Sequence, residues 1–494
     1  MLSFRTRLGY ALSLTVTVVL LCWWYMAWFQ QPWGSLDDAA GSLNTGRGAC
    51  REELADVREA LALPDIFEYS KRTIRAKPVK RWKQQSVVRR AQKLIPDLEH
   101  MNIEDPDCRL PSDEAPLDIE YSSKPPPRVD TSKLMIGAST TLSRLKGALP
   151  QMSRWLSNTS TPLIVNILDS SDTDLFGEVQ DLAHALAINC TLVPNVDHGP
   201  EDEDRHAHRH FSIVKILHAH KSASTKWFAV IDDDTFFPSL ANLLAALEPF
   251  DPEREWYLGA LSEDWNTIKN RFGFMAYGGA GILLSHPLLE TLHRNFDDCL
   301  APGGLEGDRL YRDCVFLHTA PPVTMTILPG LNQMDLLGDV SGWYQSRLTS
   351  RLLSLHHFNE WHHYPIQHGH LVSDICGSGP GKCFLQRYAF ADEALMTNGY
   401  SVVEYPNGIS FDDLDRVEGT FPHNVGQFDF SLGRLRDVVD VKIVWRLEFA
   451  VKEGDGRVRQ FYVRRGAGDE RAGDEDRLKM EVTGVFEVEW QAVR

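Results

Sequence analysis

Trp227-Phe228-Ala229-Val230-Ile231-Asp232-Asp233-Asp234-Thr235-Phe236-Phe237 sets a short apolar run directly against three consecutive carboxylates. Such a run, ending in polar residues, reads as a strand buried on both faces. Three adjacent carboxylates at its exposed end repel one another and need a compensating partner. A hard divalent cation fits, because Mn2+ or Mg2+ takes oxygen ligands and completes its shell with phosphate oxygens. Alternate side chains of an extended segment point the same way. Asp232 and Asp234 are therefore expected to face one site while Asp233 turns away. The competing reading is a solvated acidic loop.

The pattern repeats upstream. LMIGAST (134–140) and LIVNILD (163–169) are apolar runs of the same kind. Helical periodicity fills the gaps at Leu142–Trp155, Leu175–Ile188 and His206–His220. This alternation predicts an α/β fold with a mainly parallel central sheet and ligands at the carboxyl ends of its strands. Downstream, Pro238–Leu247 and Pro287–Phe296 read as helices, and WYLGAL (256–261) and FMAYGGAGILLS (274–285) as strands. VDVKIVWRLEFAV (439–451), VRQFYVRR (458–465) and VTGVFEVEW (482–490) form either a small C-terminal β-module or strands that complete the main domain.

Three further elements carry chemistry. In Tyr277–Ser285, the small residues around Gly279 let a bulky group approach the backbone, or simply pack tightly. Asp308, after Gly307, is either a plain helix N-cap or a general base. Histidines cluster at 206–210, where an exposed helix start is the simplest reading, and at His356-His357, where one imidazole can complete a metal shell begun by Asp234.

The chain has 494 residues, is 43% hydrophobic, and carries a net charge of -17. That charge argues against nucleic-acid binding, which selects clustered Lys and Arg. Leu8–Phe29 is an uncharged stretch flanked by Arg5 and Arg7, long enough as a helix to span a bilayer core of roughly 30 Å. It reads as an uncleaved anchor with a cytoplasmic tail over 1–7, a cleaved signal peptide being the competing reading, and on either the remainder is expected to face the secretory lumen. Residues 30–130, charged and dotted with Pro, read as a stem, with short helices at Ala55–Leu63 and Gln84–Ile95. Asn158-Thr159-Ser160 and Asn189-Cys190-Thr191 fit the N-glycosylation sequon. Cys299/Cys314 and Cys376/Cys383 suit local disulfides in an oxidising compartment, while pairing among Cys50, Cys108 and Cys190 stays open.

The ordered set WFAVIDDDTFF, WYLGALSE, FMAYGGAGILLS, EGDRLYRDCV and SLHHF, within roughly 132–365, resembles the Fringe-like β-1,3-glycosyltransferase superfamily. The resemblance implies a GT-A fold over 131–400, with 401–494 a β-rich extension that has no clear counterpart in the core family. It implies Mn2+ (or Mg2+), a UDP-sugar donor, and a glycan, glycoprotein or glycolipid acceptor. Inverting transfer by a type II Golgi membrane enzyme follows from the same likeness. Asp234 then matches the direct metal ligand, with Asp232 and Asp233 on the ribose or on metal-bound water. His356, or His357 in its place, matches the downstream metal-binding histidine, and Asp308 matches the catalytic base. Arg144 and Asp169 match donor-binding positions. One departure is that Fringe proteins carry two carboxylates where this chain has Gly307-Asp308. A catalytically inactive lumenal binding module on the same fold is the alternative expectation.

Overall fold

The computed structural model describes residues 49–493, except 84, 112–113, 126–127, 196–202, 301–306, 347–351, 359–360, 362–363, 379–381, 392, 422–431, 440 and 470–479. The expected anchor at Leu8–Phe29 lies outside the described residues. Among the described residues, no helix is long and apolar enough to cross a membrane.

The chain is α/β, and its described residues form two large sheets and a two-stranded one that pairs Val417–Glu418 with Leu435–Arg436. The first contains β1 (Leu134–Thr140), β2 (Leu163–Ile167), β3 (Cys190–Pro194), β4 (Trp227–Ile231), β5 (Tyr257–Gly259), β6 (Ile282–Ser285) and β7 (Thr326–Ile327), in the spatial order β7-β5-β6-β4-β1-β2-β3. β1 pairs in parallel with both β2 and β4, and only β6 runs against its neighbours. Helices α1 (Leu142–Leu156), α2 (Thr173–Ala185), α3 (Glu203–Phe211), α4 (Ile213–His220), α5 (Leu240–Leu247), α6 (His286–Arg294) and α7 (Gly307–His318) connect and flank these strands.

Local chemistry sets the boundaries. Asp172 opens α2 by accepting a hydrogen bond from the Leu175 amide at 2.9 Å, and Ser239 caps α5 through the Asn242 amide. Each relieves an amide that a helix start leaves without a partner. α1 buries Leu142, Leu145, Leu149, Met152 and Trp155, one face at helical spacing. Every residue of β2 and β4 is buried, as a parallel strand covered by helices on both faces requires.

The second sheet has ten strands drawn from both ends of the chain, and it corrects the stem expectation. Ile66–Val79 pairs in parallel with Gly484–Ala492 and antiparallel with Glu99–Asn102. Gln84–Ile95, expected as a helix, instead contains the strand Val87–Arg90, paired with Arg387–Phe390. The boundary expected near residue 400 falls inside this sheet, between the paired strands Ala394–Thr397 and Ser401–Glu404. The charges that read as a solvated spacer are cross-strand partners. Lys71 Nζ meets Glu489 at 2.9 Å, Arg75 meets Asp118 at 2.7 Å, and fully buried Glu487 takes Arg459 at 2.8 Å. Disulfides join Cys50–Cys108, Cys299–Cys314 and Cys376–Cys383, and Cys190 is free.

Candidate active site

The triplet lies at the carboxyl end of β4, and its three side chains divide between two environments. Asp233 turns toward α1. Its Oδ1 accepts from Arg144 Nη2 at 2.6 Å and its Oδ2 from Arg144 Nε at 2.7 Å, with the Thr140 hydroxyl also on Oδ2. This bidentate pair neutralises the middle carboxylate. Asp232 and Asp234 face the other way, toward His356, whose Nε2 lies 3.3 Å from Asp232 Oδ2 and 3.0 Å from Asp234 Oδ1.

His356 arrives from far along the chain because Phe236 and Leu355 exchange backbone hydrogen bonds of 2.8 and 2.9 Å. Its Nδ1–H donates to the Gln333 carbonyl at 3.1 Å, which leaves Nε2 as the atom turned to the carboxylates. Burial by itself would lower the imidazole pKa, but the two carboxylates outweigh it and hold the group well above its ordinary value. Burial likewise raises Asp232, yet His356 brings it down to about 2. Gly279 passes under this ring, and a Cβ there would fall inside the imidazole. The bulky group that approaches Gly279 is therefore the histidine of the same chain.

His357 is anchored by Asp335 Oδ1 at 3.2 Å and stacks on Trp361 at 3.9 Å. The ligating atoms of Asp234, His356 and His357 lie within 4.8 Å of one another. Asp234 Oδ2 is buried without a hydrogen-bond partner among the described residues. A buried carboxylate oxygen left this way is costly, and a cation is a fitting partner for it. One imidazole beside two carboxylates is a donor set that suits Mn2+ or Mg2+.

A cavity of about 490 Å³ opens onto this cluster, lined by Asp232, Asp308, His210, Gln333, Asp335 and Trp361 among others. Asp308, in the first turn of α7, takes the Gly278 amide on Oδ2 at 2.7 Å. The Gly278–Ala280 turn thus touches the candidate base on one side and His356 on the other. Deeper in the wall, buried Glu263 accepts from the Asp335 amide at 3.1 Å. Burial and the nearby Asp335 charge push its carboxyl up to about 8.

The structure brings together Asp232, Asp234, His356, Gly279 and Asp308. Arg144 and Asp169 stand apart from the cavity lining. Arg144 is committed to Asp233, and Asp169 Oδ1 accepts the Leu142 amide at 2.8 Å at the start of α1. Sequence reasoning missed Gln333, Asp335, Trp361 and Glu263, which carry no local motif. It also took the 206–210 histidines for an exposed helix start, whereas His210 is largely buried against Asp308.

Residues 173–309 match the family described as Fringe-like, and residues 269–370 match a protein family of unknown function, DUF604. No curated protein sequence matches this chain. Among solved structures, a mannosyltransferase from Pyrobaculum calidifontis in complex with GDP-Man and Mn2+ is 13% identical, with a TM-score of 0.28 over 42% of this chain and 59% of its own. Mouse xyloside xylosyltransferase 1 is 13% identical, with a TM-score of 0.27 over 39% of this chain and 84% of its own. The chain therefore spans less than two thirds of the first of these enzymes and more of the second. The two matched stretches are where this chain is similar to the Fringe-like glycosyltransferase superfamily, and they take in the aspartate triplet, Asp308 and His356.

Proposed function

We propose that this chain is an inverting glycosyltransferase of GT-A type that moves a sugar from a UDP-sugar to a hydroxyl of a glycan or glycoconjugate. The observation that carries the reading is the division of the triplet. Arg144 neutralises Asp233, while Asp232 and Asp234 converge on His356, and Asp232 lines the cavity that Asp308 also lines.

Asp232, Asp234 and His356 would hold the cation, with His357 in reach. A divalent ion bound there would offset the charge of the diphosphate and of the departing UDP. Asp308 accepts the proton of the acceptor hydroxyl as that oxygen attacks the anomeric carbon. Its Oδ2 is tied to the Gly278 amide, so the proton goes to Oδ1. Attack from the face opposite the UDP inverts the anomeric centre. Trp361, 40% exposed on the cavity wall, offers a flat apolar face for a sugar ring.

The compartment forms part of the proposal. Half-cystines paired in three disulfides suit an oxidising lumen, and Leu8–Phe29 would serve as a type II Golgi anchor. The test is UDP release by the full-length protein from a panel of UDP-sugars, with and without Mn2+. Release from one donor, dependent on metal and lost in Asp234→Ala, is expected. Metal-independent release, or full turnover by the variant, would overturn the reading. If UDP fails to bind even with Mn2+, the inactive binding module takes its place.

A further inference from the structure

His210 takes no part in the scheme above, yet it is the side chain nearest the free end of the candidate base. Its Nε2 lies 3.5 Å from Asp308 Oδ1, and the two side chains are 15% and 23% exposed. The other oxygen, Oδ2, holds the Gly278 amide at 2.7 Å. The carboxylate is therefore gripped at both oxygens, by a backbone amide and by an imidazole.

The fit is built from both sides. A Cβ at Gly307 would lie 2.5 Å from His210 Cδ2, so the first residue of α7 leaves room for the ring. Tyr311, one turn beyond Asp308, sets its ring edge-on to the imidazole with centroids 6.1 Å apart.

We propose that His210 is the positioning partner of Asp308, aiming Oδ1 at the acceptor hydroxyl. The inference rests on the reading of Asp308 as the base. The groups facing His210 are Asp308 and Tyr311 of α7 and Asp232 at the end of β4. Burial lowers the His210 pKa, but Asp308 and then Asp232 outweigh it, and the imidazole is held above its ordinary value.

Two substitutions separate orientation from charge. His210→Gln retains a donor for Oδ1 without the positive charge, and His210→Ala removes both. With the full-length protein, kcat and donor KM are measured across the pH range. Donor KM should stay within about twofold, and kcat should fall about tenfold in His210→Ala and less in His210→Gln, which keeps a donor for Oδ1. An equal loss of kcat in the two variants, or a loss carried by donor KM, would overturn the proposal. A second measurement needs no turnover. The imidazole titration of His210, followed by NMR, should shift to lower pH in Asp308→Asn. An unmoved titration would refute the pair itself. Full turnover by Asp308→Asn would instead refute the base reading on which the pair's role depends.

Discussion

The two sheets of this protein were built by different rules. The seven-stranded sheet joins strands mostly close in sequence, and the candidate site at the carboxyl end of its strand β4 draws on short motifs that announce themselves. The ten-stranded sheet joins Ile66–Val79 to Gly484–Ala492, nearly the whole described length apart. Its charged residues sit inside. Tyr69, Lys71 and Arg459 all converge on Glu487, which is completely buried. At the end of the first sheet, Asp232 and Asp234 both face one buried histidine. In the second, the buried carboxylates Glu487 and Glu489 face Lys and Arg side chains. Acidic charge thus gathers around one imidazole at the candidate site and is matched by cations in the scaffold.

The sharpest way to break this contrast is truncation. A fragment starting near residue 125 should be insoluble or unfolded, because it deletes the strand lying between Gly484–Ala492 and Glu99–Asn102. A folded fragment, judged by circular dichroism and a cooperative melt, would return those residues to the role of a spacer. Next in size, Asp308→Asn should lower kcat by about 10²–10⁴ with the melt preserved, as removal of a general base does. Steady-state kinetics would check it.

Gly279→Ala probes the cluster around His356 without touching a ligand. The added methyl must displace His356, and Mn2+ affinity by calorimetry should fall about 10–100-fold, the usual effect of misorienting a ligand. Glu487→Ala probes the balanced one. It strips a buried partner from Arg459 and Lys71, and denaturant melts should show a loss of about 3 kcal/mol with metal affinity unchanged. The smallest effect concerns Glu263. Its folded pKa, about 8, exceeds its ordinary 4.5, so the native state keeps a proton that the unfolded chain releases. This group therefore costs stability as pH rises through that window. Glu263→Gln should gain on the wild type from pH 5 to pH 8, with the gap in Tm widening by a few degrees.

What was legible follows from the same contrast. WFAVI before three aspartates, and small residues around Gly279, are local patterns that single out Asp232, Asp234 and Gly279, whereas His356 and Asp308 take their expected roles from the family resemblance. The alternation of β1 to β4 with their helices was legible for the same reason. Arg144 was singled out, but the structure commits it to Asp233. Asp335, Trp361 and Gln333 reach the cavity from loops whose sequence has no period. Ile66–Val79 was opaque because burial of Arg72 depends on the Leu94 carbonyl, and that of Lys71 on Glu487 and Glu489, partners that no window of sequence contains.

The most direct test is calorimetric titration of UDP into the full-length protein, with and without Mn2+, for the wild type and Asp234→Asn. The account predicts binding that requires Mn2+ in the wild type and falls at least tenfold in the variant. UDP binding of equal strength without metal, or undiminished in Asp234→Asn, would contradict the claim that Asp232, Asp234 and His356 form a cation site for the nucleotide.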